Sequence, residues 1–338
     1  MTGRERVKKC LTFNKPDRVP RDLWALPYVI LFEKDKFEKV INKYPMDISA
    51  SQLSPGWSDE VVKQTAKKSN YTDDWGSVWH VGEPGVIGEV EKPVLDKWSK
   101  LKKLKPPYHL IENRDIAYIN KSYEETDKFV LSDVTARPFE RLQFLRGSQN
   151  LFLDIGYDLA EFHKLLKIVH EFYLADIDNW CKTNVDGIFF MDDLGSNSGP
   201  LINPKVWREI FKPLYKEYCN MIHAVGKFAF FHTDGNTEKF FNDFVEIGID
   251  AVNSQLFIMN IEELAKKFKG KITFWGEIDR QFVLPFGSPE DVKRAVIRVR
   301  KDLDDCSGGV IAQCEWGKNN PIKNVEAVFE AWDGEINQ

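Results

Sequence analysis

The sequence predicts an α/β fold built on a parallel sheet, and three observations lead to this prediction. From residue 129 onward, short apolar segments typical of buried strands alternate with long amphipathic segments typical of helices. The predicted strands are apolar throughout, which is typical of a parallel sheet with both faces covered. No glycine-rich phosphate-binding motif follows any of these strands, which disfavours a dinucleotide-binding fold. The pattern fits a barrel or a doubly wound sheet.

Six strands are predicted in this part of the chain. They are Phe129–Thr135, Gly187–Asp192, Lys227–His232, Ala251–Gln255, Ile272–Glu277 and Gly309–Cys314. A helix begins at Asn203-Pro204 and runs to Gly226 with a kink expected at Pro213, and another begins at Ser288-Pro289.

The N-terminal part is less regular. Thr2 and Glu5 predict a capping box for a short first helix, and residues 18–26 predict a first strand. Residues 33–128 are rich in Trp, Lys and Pro, and we interpret them as early strands and helices of the fold mixed with long insertions. The 338 residues are expected to form a single domain, residues 1–338.

Composition narrows the function classes. The net charge is −5, from 47 basic and 52 acidic side chains, and no basic block suggests nucleic-acid binding. The five cysteines are widely spaced, which disfavours a disulfide framework. The sequence contains no apolar segment of membrane-spanning length or of signal-peptide type, so we expect a cytoplasmic protein with no membrane association.

Polar side chains follow each of the late strands, where the carboxyl ends of a parallel barrel would meet at one opening. In chain order they are Asp192 and Asp193; His232 and Asp234; Asn253 and Gln255; Glu277; and Gln313, Cys314 and Glu315. Taken singly, most of these residues have a simple structural explanation, such as a turn cap or a small apolar cysteine. Their joint occurrence predicts an active site.

A metal site is one expectation for this opening. His232, Asp234 and Cys314 offer an imidazole, a carboxylate and a thiolate, all of which bind Zn²⁺, and Glu277 is an alternative carboxylate ligand. Catalytic roles are expected for Asp192, Asp193, Glu277 and Gln255, and cofactor contacts for Asn253 and Gln313. A non-catalytic binding protein is the alternative, and it predicts that these side chains do not converge.

Several segments resemble proteins of the uroporphyrinogen decarboxylase superfamily. They are RERVKKCLTFNKPDRVP (4–20), DDLGSNSGPLINPKVWREIFKPLY (192–215), HTDGN (232–236), EIGIDAVNSQ (246–255) and GGVIAQCEWG (308–317). The resemblance spans nearly the whole chain in consistent order. It implies a (β/α)₈ TIM barrel with an extended, insertion-rich N-terminal part.

Two branches of this superfamily differ in their site residues. The decarboxylases carry an Arg-Gln-Ala-Gly-Arg motif that holds substrate carboxylates, whereas this chain has RDLWALPYVI (21–30) there, with a single Arg. The corrinoid-dependent methyltransferases hold Zn²⁺ with a His-x-Cys pair and a later Cys. His232 and Cys314 match two of these ligands, and Asp234 stands where the middle Cys is expected.

The resemblance therefore implies a zinc-dependent methyltransferase that moves a methyl group between a corrinoid protein and a small thiol, ether or alcohol. Zn²⁺ would act as a Lewis acid at the substrate thiol or oxygen, with Asp192 or Glu277 handling the proton. The corrinoid would belong to a partner protein, and a homodimer is compatible with the resemblance. The alternative is a cofactor-free decarboxylase of a uroporphyrinogen-like tetrapyrrole or another carboxylate.

Overall fold

The fold is a (β/α)₈ barrel. The structure, a computed structural model, describes residues 1–51 and 59–334, and the side chains of residues 59–61 lie outside the description. The eight barrel strands are β1 (Arg21–Ala25), β2 (Ile48–Ala50), β3 (Phe129–Val134), β4 (Gly187–Met191), β5 (Phe228–Thr233), β6 (Ala251–Ser254), β7 (Thr273–Gly276) and β8 (Val310–Trp316).

The strands follow one another around the barrel in chain order. The sheet runs from β2 through β3 to β8 and then to β1, and every neighbouring pair is parallel. Beside β2, the backbone N–H of Asp47 donates to the carbonyl oxygen of Arg21 in β1 at 2.9 Å, which draws the two ends of the sheet together. The sheet is thus a nearly closed barrel, and the doubly wound alternative is excluded.

Helices separate the strands and cover the barrel. The α-helices in the described part of the chain are Gly3–Leu11, Pro27–Phe32, Lys34–Lys43, Asp59–Thr65, His109–Glu112, Ile116–Glu124, Pro138–Arg146, Ser148–Gly156, Ala160–Cys181, Pro204–Ile210, Lys212–Ala224, Phe241–Ile247, Ile261–Phe268, Val283–Phe286, Pro289–Leu303 and Ile322–Asp333. Short 3₁₀ helices span Trp98–Lys103, Glu238–Phe240 and Leu256–Ile258. No helix within the described ranges is long and apolar enough to cross a membrane.

The insertion predicted near the N-terminus lies between β2 and β3. It contains a three-stranded antiparallel sheet of Ser69–Thr72, Val78–Val81 and Glu89–Lys92. The predicted strands from residue 129 onward are confirmed to within two residues at each end. The helix from Asn203 is interrupted at Phe211, the residue that precedes Lys212-Pro213, as expected for a proline that cannot donate to the helix ladder.

Side chains alternate between the barrel interior and the surrounding helices. Phe230, Trp275 and Ile311 form an inner cluster, whereas their neighbours Phe231, Phe274 and Ala312 pack in the outer core against the helices. The first helix carries the predicted capping box of Thr2 and Glu5 and contributes Val7 and Cys10 to the inner cluster. This period-two alternation decides which strand-end residues reach the opening.

Asp22 is an acid in the barrel interior, on β1. The indole N–H groups of Trp24 and Trp275 both donate to its Oδ2, at 3.0 and 2.9 Å. Burial raises the pKa of Asp22 to about 6 from an ordinary value of 3.8, and the two indole hydrogen bonds only partly oppose this. The folded chain therefore keeps a proton that the unfolded chain releases near pH 4.

We expect Asp22→Asn to change how stability depends on pH. Because the unfolded state loses this proton first, raising the pH through the window from about 4 to 6 favours unfolding of the native chain. Between pH 4.5 and 7 the free energy of unfolding of the native chain should fall by about 2 kcal/mol relative to that of the variant. Urea titrations at both pH values measure this difference, and parallel profiles for the two proteins would contradict the assignment.

Candidate active site

Three side chains at the carboxyl ends of neighbouring strands form a compact group. Asp193 follows β4, His232 lies near the end of β5, and Asp234 follows β5. One ligand atom from each lies within 4.8 Å of the others. The Nε2 atom of His232 is 3.7 Å from Asp193 Oδ1 and 3.5 Å from Asp234 Oδ1. We call these residues the Asp–His–Asp group.

The orientation of the His232 ring is set by Asn253 on β6. Asn253 Nδ2 donates to the carbonyl oxygen of Trp275 at 2.6 Å, so its Oδ1 is left to accept from His232 Nδ1, also at 2.6 Å. This arrangement places the proton of a neutral imidazole on Nδ1 and leaves the lone pair of Nε2 facing the two carboxylates. Such support of a histidine through its second nitrogen is common in metal sites.

The Asp–His–Asp group fits a divalent metal. A lone pair facing two carboxylates is repulsive unless a proton or a cation lies between them. Bonds of about 2.0 to 2.2 Å from Zn²⁺ to nitrogen and oxygen, in tetrahedral geometry, separate two ligands by roughly 3.4 Å. The observed spacings of 3.5 and 3.7 Å are close to this value. Asp234 Oδ1 is also buried without a hydrogen-bond partner, as expected for an unused ligand atom.

Arg280, in the loop after β7, ties three acids together beside this group. Its guanidinium donates to Asp234 Oδ2, lies 2.8 Å from Glu315 Oε1 and reaches Glu277 Oε2 at 3.5 Å. Because Arg280 holds one oxygen of Asp234, the other oxygen, Oδ1, is directed at His232. The guanidinium also offsets part of the repulsion among the carboxylates at the opening.

Glu277 is almost fully buried at the end of β7, with 2% of its surface exposed. Burial raises its pKa well above the ordinary value; Arg280 opposes this shift, while Glu315, Asp234 and Asp193 add to it. Burial therefore favours the protonated form of this carboxyl group. Gln313 on β8 is fully buried, and none of the polar side-chain atoms of Glu277 and Gln313 has a hydrogen-bond partner.

Gln255 supports the turn that carries Asp234. Its Oε1 accepts the backbone N–H of Gly235 at 3.0 Å. Gly235 adopts φ +84°, and a Cβ there would lie 2.0 Å from the backbone of Gly195, so only glycine fits. Gln255 therefore helps to position Asp234.

Asp192 is not exposed at the barrel opening, in contrast to Asp193. Its two carboxylate oxygens accept the backbone N–H groups of Phe139 and Glu140, each at 2.6 Å, at the start of the helix Pro138–Arg146. The hydroxyl of Tyr215 donates to the same carboxylate. Asp192 is fully buried, and its hydrogen bonds give it a structural role as a helix cap.

Cys314 is not brought to the Asp–His–Asp group. It lies on the outer face of β8 in the apolar core, together with Ala312 and Trp316. Its neighbour Glu315 lies opposite Trp24 in the strand register and faces the opening, where it pairs with Arg280. The expectation that Cys314 is a metal ligand therefore fails on strand alternation, and burial raises the pKa of its thiol, which disfavours the thiolate that a metal needs.

The opening contains four residues to which the sequence analysis assigned no role. Arg280 and Glu315 bear on the Asp–His–Asp group as described above. The Trp24 ring lies 5.2 Å from the His232 ring. Burial raises the pKa of Glu140 to about 8. The charges of Asp193 and Asp192 add to this shift, and that of His232 opposes it. The sequence analysis placed Glu315 among the strand-end residues without a specific role, whereas loop residues such as Arg280 carry no periodic signal.

The (β/α)₈ fold has structural counterparts. A methyltransferase from Methanosarcina mazei superimposes with a TM-score of 0.68 at 15% identity, covering 98% of this chain and 98% of that chain. A D-psicose 3-epimerase with D-fructose present gives 0.39 at 10% identity, with 67% and 78% covered. An endo-β-1,4-xylanase from Gloeophyllum trabeum gives 0.43 at 10% identity, with 93% and 96% covered. At 15% identity the likeness to the methyltransferase concerns the fold alone.

Sequence comparison identifies the family. No curated protein matches the chain. The family profile described as uroporphyrinogen decarboxylase (URO-D) matches residues 78–334, about three quarters of the chain. The matched segment contains six of the eight barrel strands, β3 to β8, together with the whole Asp–His–Asp group, and it leaves out β1 and β2. The chain therefore belongs to the uroporphyrinogen decarboxylase (URO-D) family.

Proposed function

We propose that this chain is a zinc-dependent methyltransferase that moves a methyl group between a corrinoid protein and a small thiol, ether or alcohol. The observation that carries the proposal is the Asp–His–Asp group, in which His232 Nε2 faces two carboxylates at metal-ligand spacing. Asp193, His232 and Asp234 would hold the ion through two oxygens and one nitrogen, leaving a position for substrate. Bound Zn²⁺ would supply Lewis-acid activation of the substrate oxygen or sulfur.

The surrounding residues act on the ligands and on the substrate. Asn253 fixes the His232 tautomer, and Arg280 holds Asp234 with Oδ1 towards the imidazole. Burial raises the pKa of Glu277 and so favours the protonated form of its carboxyl group. When an ether or alcohol gives up its methyl group, the oxygen left behind takes a proton, and we assign the delivery of that proton to Glu277.

The charges at the opening argue against a polycarboxylate tetrapyrrole as substrate. Asp193, Asp234 and Glu315 contribute carboxyl groups at the opening, and Arg280 is already held by Asp234 and Glu315. Arg21, the single arginine of the RDLWALPYVI segment, lies at the amino end of β1 and pairs with Asp333. Active sites of parallel barrels lie at the opposite end, so Arg21 is not available to hold a substrate carboxylate.

Metal analysis and methyl transfer test the proposal together. Protein purified without a tag should contain about one zinc per chain, as three protein ligands and an open position require. With methylcobalamin in place of the corrinoid protein and 2-mercaptoethanol as acceptor, we expect the absorbance of the methyl–cobalt bond to decay. A correctly folded chain that binds no zinc would contradict the proposal. Release of coproporphyrinogen from uroporphyrinogen would instead favour the decarboxylase.

A further inference from the structure

Glu277 and Gln313 are neighbours on adjacent strands inside the barrel. The register pairs Trp275 with Ile311 and Gly276 with Ala312, so Glu277 and Gln313 come next along the two strands. Each lies two residues beyond a member of the inner cluster, and both therefore face the interior. Side chains at such positions lie roughly 5 Å apart at Cβ.

This pair has four unpartnered polar atoms in a buried place. Both oxygens of Glu277, and both the oxygen and the nitrogen of Gln313, have no hydrogen-bond partner, although the residues are only 2% and 0% exposed. The nearest charge is Arg280 Nε, 3.5 Å from Glu277, beyond the length of a good hydrogen bond. Native proteins rarely leave such groups unpaired, and the exceptions call for a bound water, an ion or a function.

The chemistry of the pair selects a neutral partner. In its neutral form, which burial favours, the Glu277 carboxyl group offers one donor side and one acceptor side, and so does the Gln313 carboxamide. Together these sides match a hydroxyl group or an ether oxygen. Arg280, the arginine that contacts Glu277, is already held by Asp234 and Glu315. Arg280 is therefore not free to pair with an anionic group.

The space beside Glu277 is small. A pocket of about 10 Å³ lies between the loops after β6 and β7, and Gln255, Glu277 and Arg280 contribute to its lining. This volume holds about one water-sized group and is far below the range of about 300 to 1,000 Å³ for sites that take drug-sized ligands. Arg280 contacts both Glu277, which lines the pocket, and Asp234 of the Asp–His–Asp group. The pocket and the Asp–His–Asp group are therefore separated by a single guanidinium group.

We infer that Glu277 and Gln313 form a subsite that binds the oxygen of a small neutral alcohol or ether. The inference rests on the proposed function, in which this oxygen belongs to the methyl donor. Within the wider class of thiols, ethers and alcohols, the subsite selects an uncharged methyl donor. The subsite excludes carboxylates and disfavours amines. Binding at this subsite is a property of the chain itself, which can be measured without methyl transfer.

Three probes that share one skeleton test the subsite. They are 2-methoxyethanol, methoxyacetate and 2-methoxyethylammonium, which share a methoxymethyl end and carry a hydroxyl, a carboxylate or an ammonium group at the other end. In saturation-transfer NMR with the full chain, we expect 2-methoxyethanol to bind most tightly, and Gln313→Met to weaken it at least about tenfold because the carboxamide contacts are lost. Equal binding of methoxyacetate, or unchanged binding in the variant, would overturn the inference.

A second buried carboxamide provides a matched control for folding. Asn324 is also fully buried, but its Nδ2 donates to the carbonyl oxygens of Leu284 and Gly287, each at 2.8 Å. Asn324→Leu should lower the urea midpoint of unfolding, whereas Gln313→Met should not, since it removes an unpaired group. A lower midpoint for Gln313→Met would mean that Gln313 is structural, contrary to the inference.

Zinc analysis of the same proteins separates the two proposals. Gln313→Met should keep the zinc content of the native chain, because Gln313 is not in the Asp–His–Asp group. A chain without zinc that still prefers 2-methoxyethanol would uphold the subsite and reject the proposed methyltransferase. A zinc-containing chain without this preference would do the reverse.

Discussion

His232→Ala is expected to reduce zinc binding at least about 100-fold, whereas Cys314→Ala should leave it unchanged. The first variant removes the only nitrogen ligand of the Asp–His–Asp group, and loss of a supporting partner alone typically costs 10- to 100-fold in metal affinity. The second variant removes a thiol that lies in the outer core with Ala312 and Trp316. Competitive titration against a zinc-binding dye measures both affinities.

The pair of variants distinguishes two different metal sites. A thiolate site would lose zinc in Cys314→Ala and would show the intense charge-transfer absorption of cobalt–thiolate bonds when Co²⁺ replaces Zn²⁺. A site with one nitrogen and two oxygens would show neither effect. Loss of zinc in Cys314→Ala, with an unchanged urea midpoint, would refute the ligand set assigned here.

Strand alternation explains which parts of the site the sequence could predict. The apolar segments correctly located six strands, and the polar residues that follow them lie at one end of the barrel. Along β8, however, Gln313 and Glu315 face inward and Cys314 faces outward, a distinction that the apolar run VIA cannot reveal. One known contact, such as that of Ile311 with the inner cluster, is needed to decide which alternate residues of β8 face the barrel interior.

Other features of the site depend on contacts between distant segments. Arg280 acts through Asp234, 46 residues away, and Glu315, and no local pattern indicates such a pairing. The different fates of Asp192 and Asp193 likewise depend on the helix that begins at Pro138, more than 50 residues earlier. Sequence patterns predict the elements and the end of the barrel that carries the chemistry, while packing decides which of two adjacent acids faces the opening.

Asp192→Ala and Asp193→Ala should therefore affect opposite properties. Without the Asp192 carboxylate, the Tyr215 hydroxyl and the N–H groups of Phe139 and Glu140 lose their acceptor. Leaving several buried donors unpaired should lower the free energy of unfolding by roughly 3 to 5 kcal/mol. The Asp193 side chain is 39% exposed, and its removal should change that free energy by less than about 1 kcal/mol while strongly weakening zinc binding.

Urea unfolding and zinc titration on both variants make this a crossed test. Tyr215→Phe serves as a control for Asp192, because it removes a single donor and should cost only about 1 kcal/mol. If Asp192→Ala folded with native stability but lost zinc, Asp192 would be a ligand and the helix cap would be incidental. If Asp193→Ala kept its zinc, the ion would have to be held without the carboxylate that follows β4. The spacing between His232 and the two carboxylates would then need another explanation, such as a proton on Nε2.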